Sequence, residues 1–98
     1  MEANAVSLRG TIAELEPLRH TPAGLPLIQF RVAHRSMQVE AGYKRQVECD
    51  VNCVAMGEAA MRLSRANAGV EVEVSGFLNR KNRMSAQLVL HAIETQIL

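Results

Sequence analysis

A chain of 98 residues has the length of one small domain, enough for a single core, and none of its apolar runs is long enough for a membrane-spanning helix. Its formal charge is +1, from 11 Lys and Arg against 10 Asp and Glu, which excludes a histone-like or tail-driven polycation. Two cysteines, and a Met1-Glu2-Ala3-Asn4-Ala5 start without the basic and apolar layout of a signal peptide, predict a reduced, cytoplasmic setting.

Val6 to Ala13 reads as a first strand, with Val6, Leu8 and Ile12 alternating inward. Gly10 interrupts that inward row and predicts a bend where the strand curls around a small barrel. Glu14 to Pro26 is a connection holding Pro17, Pro22 and Pro26, with a β-turn predicted at Thr21-Pro22-Ala23-Gly24. Leu27 to Val54 then forms two long strands and dominates the chain. The first places Ile28, Phe30, Val32 and His34 on one face against Gln29, Arg31, Ala33 and Arg35. The second places Val47, Cys49, Val51 and Cys53 opposite Glu48, Asp50 and Asn52. Glu40-Ala41-Gly42 supplies the turn, and Tyr43-Lys44-Arg45 follows it, so cations and one aromatic ring occupy the wet side and tip of an antiparallel ribbon.

Cys49 and Cys53 lie about 13 Å apart on such a strand, at ~3.3 Å per residue, which excludes a disulfide and a shared zinc site. Both read as small buried apolar residues. Gly57 to Ala66 is the one good helix candidate, with Ala60, Met61 and Leu63 as its apolar stripe and Asn67-Ala68-Gly69 as its stop. Val70 to Gly76 alternates as another strand, Asn79 to Arg83 is a basic loop, and Ser85 to Ile97 is a last strand whose faces alternation cannot separate. Five strands with one short helix between the third and fourth is the order of an OB-fold. The expected fold is therefore an all-β, five-stranded barrel, one domain over residues 1–98.

Nine of the 11 cations are arginine, the side chain suited to bidentate phosphate contacts and to stacking on bases. They are sorted rather than mixed: Arg31, Arg35, Lys44 and Arg45 belong to the ribbon, and Arg80, Lys81 and Arg83 crowd one loop. His20, His34 and His91 are scattered, and no serine, cysteine or carboxylate stands at a spacing that would set a nucleophile beside a base. The sequence is not read as an enzyme, and neither a cofactor nor a metal is called for.

The string His34-Arg35-Ser36-Met37-Gln38-Val39-Glu40-Ala41-Gly42-Tyr43, followed by Arg45-Gln46, resembles the bacterial primosomal replication protein N (PriB) family. Leu8-x-Gly10-Thr11-Ile12, Pro22-x-Gly24-x-Pro26, Gln29-Phe30, Gly76-Phe77 and Val89-Leu90-His91-Ala92 carry the resemblance over nearly the whole chain. It implies an OB-fold homodimer that binds single-stranded DNA in replication restart. It also implies contacts with the restart helicase PriA, with DnaT and with the single-strand-binding protein.

Carried over by position, Arg19 is a basic loop residue, Arg35 a ribbon arginine and Tyr43 the aromatic residue at the ribbon tip. Arg80, Lys81 and Arg83 correspond to the basic loop between the last two strands. Arg31, Lys44 and Arg45 join on proximity alone. One departure matters: Glu48 stands where the family carries a tryptophan, with Asp50 two residues on along the same face. Loss of a base–aromatic stack forfeits ~1–3 kcal/mol, and the acids repel phosphate. The sequence thus predicts weak single-strand binding and reliance on protein partners. The alternatives are a protein-interaction module without useful DNA affinity, and an OB-fold enzyme subunit or RNA-binding accessory factor. Phe77 is a further ring, expected to pack beneath the basic loop.

Overall fold

β1 (Val6–Leu15) changes neighbours halfway along its length, and that exchange closes the molecule. The computed structural model describes residues 2–98; the other elements are β2 (Arg19–His20), β3 (Pro26–Glu40), β4 (Tyr43–Met56), α1 (Glu58–Leu63), β5 (Glu71–Arg80) and β6 (Leu88–Ile97). The strand order is β1-β5-β6-β4-β3-β2, and a second pairing of β1 with β3 completes the ring. Setting aside the two-residue β2, this is the five-stranded OB barrel that the alternation predicts, with the helix between its third and fourth strands.

β1 pairs with β5 from Val6 to Thr11 and with β3 from Thr11 to Leu15. Thr11 serves both neighbours, and Gly10 makes the crossing possible, because a Cβ there would lie 2.4 Å from the Ala33 carbonyl oxygen. A register shift between Ile12 and Glu14 adds the curl the barrel needs. The sequence bend at Gly10 is thus a close backbone approach. Asn4 continues the edge with its side chain, since its Nδ2 donates to the Leu78 carbonyl at 2.9 Å and its Oδ1 accepts from the Leu78 N–H at 3.0 Å.

The core is the inner face of this ring, with Ile12, Ile28, Phe30, Val32, Cys53, Val72, Val74, Leu90 and Ala92 all buried. α1 plugs one end with Ala60 and Leu63, both 0% exposed. Met61 belongs to the other side of the helix at 40% exposure, so the expected three-residue stripe is reduced to two. The helix is only six residues long, because it has one barrel end to cover and ends once Leu63 is seated.

Three other readings need correction. The connection from Glu14 to Pro26 contains a short strand, Arg19–His20, paired with Leu27 and Pro26. The fourth long strand runs past Gly76 to Arg80, because a bulge on β6 absorbs the break: Ser75 faces Glu94 and Gly76 faces Ala92, leaving Ile93 as the extra residue. The last strand begins at Leu88, and Ser85 falls in the preceding loop.

Cys49 is the remaining correction. The pairing of β3 with β4 runs unbroken from Leu27–Met56 to Glu40–Tyr43, and beyond Val32–Val51 the ribbon projects past the barrel rim as an arm. No layer lies beneath it there, so Cys49 is exposed whereas Cys53 is buried. Burial pushes the Cys53 thiol up to about 12. Ala41 and Gly42 form the tip, with φ of 52° and 83°, the two-residue hairpin turn whose twist matches that of the strands.

Two substitutions act in opposite directions. Gly76→Ala drives a Cβ to 1.7 Å from the His91 carbonyl oxygen and should cost ~1–3 kcal/mol in urea unfolding. Ala41→Asn relieves a left-handed residue at the tip and should gain ~0.5–1 kcal/mol. Native-state thiol titration at neutral pH should label Cys49 rapidly, and Cys53 only after denaturant is added.

Candidate nucleic-acid interface

Strand register sorts the arm into two faces. Arg31, Arg35, Met37, Val39 and, across the ladder, Asp50, Glu48 and Lys44 share the outer face; His34, Ser36, Cys49, Arg45 and Tyr43 continue the inner one. The phenol and Arg45 therefore point away from Arg31, Arg35 and Lys44, and the expected set of arm residues is divided between opposite sides. Tyr43 itself is 72% exposed, as a docking ring would be.

The arginines of the arm are occupied. Arg35 sits directly across from Glu48 and pairs with it, Nη2 to Oε1 at 2.6 Å. Arg31 reaches Glu14 at 3.2 Å, with Asp50 at 4.0 Å, and its Nε is buried without a hydrogen-bond partner. Arg45 pairs with Glu40 at 2.9 Å. These are exposed pairs worth ~0–1 kcal/mol each, so phosphate can displace the carboxylates, but each one competes for its cation. Arg19, Lys44, Arg80, Lys81 and Arg83 form no carboxylate pair among the described residues.

Four of these free cations lie away from the arm. With the Gln29 amide oxygen turned toward it, Arg19 donates to Gln29 at 3.2 Å, and the Gln29 nitrogen donates to Glu16 at 3.2 Å. Lys81 borders a small niche with Glu16, Gln29, Asn52, Val54 and Val89, so Lys81 and, through Gln29, Arg19 approach the outer wall at the base of the ribbon beside the Glu16 carboxylate. The Lys81 N–H donates to the Gln87 carbonyl at 2.9 Å and closes the basic loop, while Arg80 Nη1 donates to the Arg83 carbonyl at 3.4 Å.

Where β3 leaves β1, His34 bridges the gap. Its Nδ1 is 2.7 Å from the Arg9 carbonyl and its Nε2 is 2.8 Å from Ser36 Oγ. A carbonyl only accepts, so Nδ1 carries the proton and Nε2 accepts from the serine hydroxyl, whose oxygen accepts from Gln38 Nε2 at 2.9 Å. This chain of bonds fixes the arm to the barrel rim beside a hollow of about 810 Å³. That hollow mixes Arg9 and Arg35 with Glu48, Asp50 and Glu71, and so offers phosphate no net attraction.

Sequence reasoning placed Phe77 beneath the loop. It lies instead on the outer wall, 36% exposed and stacked on His91, with ring centroids 4.8 Å apart and planes 7° from parallel. The signal was the cross-strand register of two strands that sequence alone cannot align. Among the described residues, no three His, Cys, Asp or Glu side chains converge to hold a metal, and no helix is long and apolar enough to cross a membrane.

Residues 4–94 match the family described as another single-strand binding protein family. The replication restart protein PriB of Nitrosomonas europaea is 43% identical over 97% of this chain and 88% of its own length. The PriB of Serratia proteamaculans is 33% identical over 100% of this chain and 96% of its own. Among solved structures, the PriB of Ralstonia solanacearum superposes with a TM-score of 0.89 at 31% identity, covering 98% of both chains. The single-stranded DNA-binding protein of Thermus aquaticus shares the fold, with a TM-score of 0.79 at 23% identity over 98% of this chain and 50% of its own.

Proposed function

The chain belongs to the PriB family of replication restart proteins, and on that premise we propose that it is a single-stranded DNA-binding adaptor that holds DNA weakly and acts chiefly by bridging the restart helicase to other primosome proteins. The observation that carries this reading is the Arg35–Glu48 pair. At the position where the family carries a stacking ring, this chain has a carboxylate, and the ladder sets it against the arm's most exposed guanidinium, 76% exposed. One substitution thus removes a stacking platform and engages a phosphate ligand.

The free cations Arg19, Lys44, Arg80, Lys81 and Arg83 remain for the backbone of a single strand, and Tyr43 for a base at the arm tip. Five such contacts correspond to a salt slope of about −3.5 in log Kobs against log salt, at roughly −0.7 per neutralised phosphate. A second reading, a protein-interaction module without useful DNA affinity, draws support from the same paired arginines. An RNA-binding role has less in its favour, since no group is dedicated to a 2′-hydroxyl. The homodimer that the resemblance implies is part of the proposal, and sedimentation showing only monomer at micromolar concentration would count against it.

Fluorescence anisotropy with single-stranded DNA, duplex and RNA oligomers across a salt series tests the reading. Micromolar single-strand binding with the shallow slope above is expected, and nanomolar binding at physiological salt would defeat the weak-binding claim. Glu48→Gln should tighten binding severalfold by freeing Arg35, and Glu48→Trp more, by ~5- to 100-fold for a restored stack. Arg35→Ala and Tyr43→Ala should each weaken binding severalfold. Unchanged retention in both would favour the protein-interaction module.

A further inference from the structure

We propose that the Phe77–His91 ring pair walls a nucleobase pocket on the outer face of the barrel, into which one unstacked base of a bound single strand inserts. The proposal rests on the single-strand reading above and gives it a site that lies off the arm. The outer wall forms a continuous row, since Gln29 pairs with Val54, Val54 with His91 and His91 with Phe77 across four strands. Beside the rings is a solvent-open hollow of about 270 Å³, lined by Val54, Met56, Ala59, Phe77, His91 and Ile93. At ~30 Å³ per water this is the space of about nine water molecules, comparable to the ring atoms of one base.

Backbone geometry builds the hollow. The β6 bulge turns Ile93 outward, leaving it 65% exposed as a flank of the hollow, and Gly76 is the only residue type that tolerates the bulged backbone pressed against it. β4 ends at Met56, and Gly57, at φ 66°, sends the chain into α1, so among the described residues β6 has no strand beside it on that side from Ala92 onward. The result is an apolar recess with an aromatic wall.

Charge determines how a strand would lie. Val54 lines both this hollow and the niche that Lys81 borders, so phosphates held by Lys81 and Arg19 run beside the mouth of the recess. Glu58 at its rim repels phosphate and turns the backbone outward, leaving the base as the part that enters. A carboxylate accepts hydrogen bonds and cannot donate them, so Glu58 favours bases with an exocyclic amino group; cytosine is preferred over thymine. The platform missing at Glu48 is thereby supplied on the barrel wall.

The test uses the intact protein with homopolymeric dC and dT oligonucleotides at low salt, and with an oligonucleotide carrying 2-aminopurine, whose fluorescence falls on stacking. Wild type should quench the probe and prefer dC. Phe77→Leu keeps the apolar bulk and removes the ring; it should lose the quenching and about tenfold in affinity, with an unchanged salt slope and melting temperature. Glu58→Gln, which can also donate, should narrow the dC-to-dT ratio. Glu71→Gln, an exposed change at the hollow on the arm side, should do neither. Wild-type binding with quenching that survives Phe77→Leu overturns the pocket alone, as does a loss accompanied by a changed salt slope. No binding of either oligonucleotide by wild type overturns the single-strand reading and the pocket with it.

Discussion

The passage of β1 from one partner to the other at Thr11 is the constraint on which the rest of the molecule depends. A five-stranded sheet closes only if its first strand pairs on both edges, and the stagger that tilts strands around a barrel offsets those two pairings along it. Val6 to Thr11 serves β5 and Thr11 to Leu15 serves β3. The backbone of β1 must therefore pass directly over Ala33, which only the missing side chain of Gly10 permits. Once β3 has parted from β1 it has, among the described residues, no barrel neighbour on that side, and the ribbon continues outward paired with β4. The arm is what remains of the hairpin after the ring has closed.

The same geometry governs the electrostatics. On the barrel, alternate residues of β3 and β4 are hidden, but on the arm both faces meet water, so charged side chains choose partners across the ladder. Arg35 meets Glu48 and Arg45 meets Glu40. Exposed pairs of this kind add little stability, and their effect falls on what the cations can bind. Phosphate must displace a carboxylate from the arm arginines, whereas Arg19 and Lys81, brought to the wall by β2 and the basic loop, form no ion pair among the described residues and share their surroundings with the single carboxylate of Glu16. The wall, as much as the arm, is where a polyanion would find attraction, and it is also where the two stacked rings lie.

Within an interior this small, irregularities serve a purpose. The β6 bulge lengthens one strand by a residue, and its consequences reach from the close backbone contact at Gly76 to the outward turn of Ile93. The His34 chain through Ser36 and Gln38 does comparable work at the other rim, satisfying the Arg9 carbonyl where the ladder has opened. Each replaces lost backbone pairing with a specific contact, as buried or strained backbone groups require.

Period-two alternation in Ile28, Phe30 and Val32, the turn at Ala41-Gly42 and the placing of the short helix after the ribbon were enough to determine the barrel, because each is a local property of the chain. The family string from His34 to Tyr43 and the presence of Glu48 were equally legible. Local pattern could not tell Cys49 from Cys53, since both sit at the same parity and only the barrel rim between them decides which is buried. Nor could it show that Glu48 faces Arg35, that Tyr43 and Arg35 point to opposite sides, or that Phe77 rests on His91. Those facts depend on register between strands far apart in sequence and on the height at which the ring closes, and closure exists only in three dimensions.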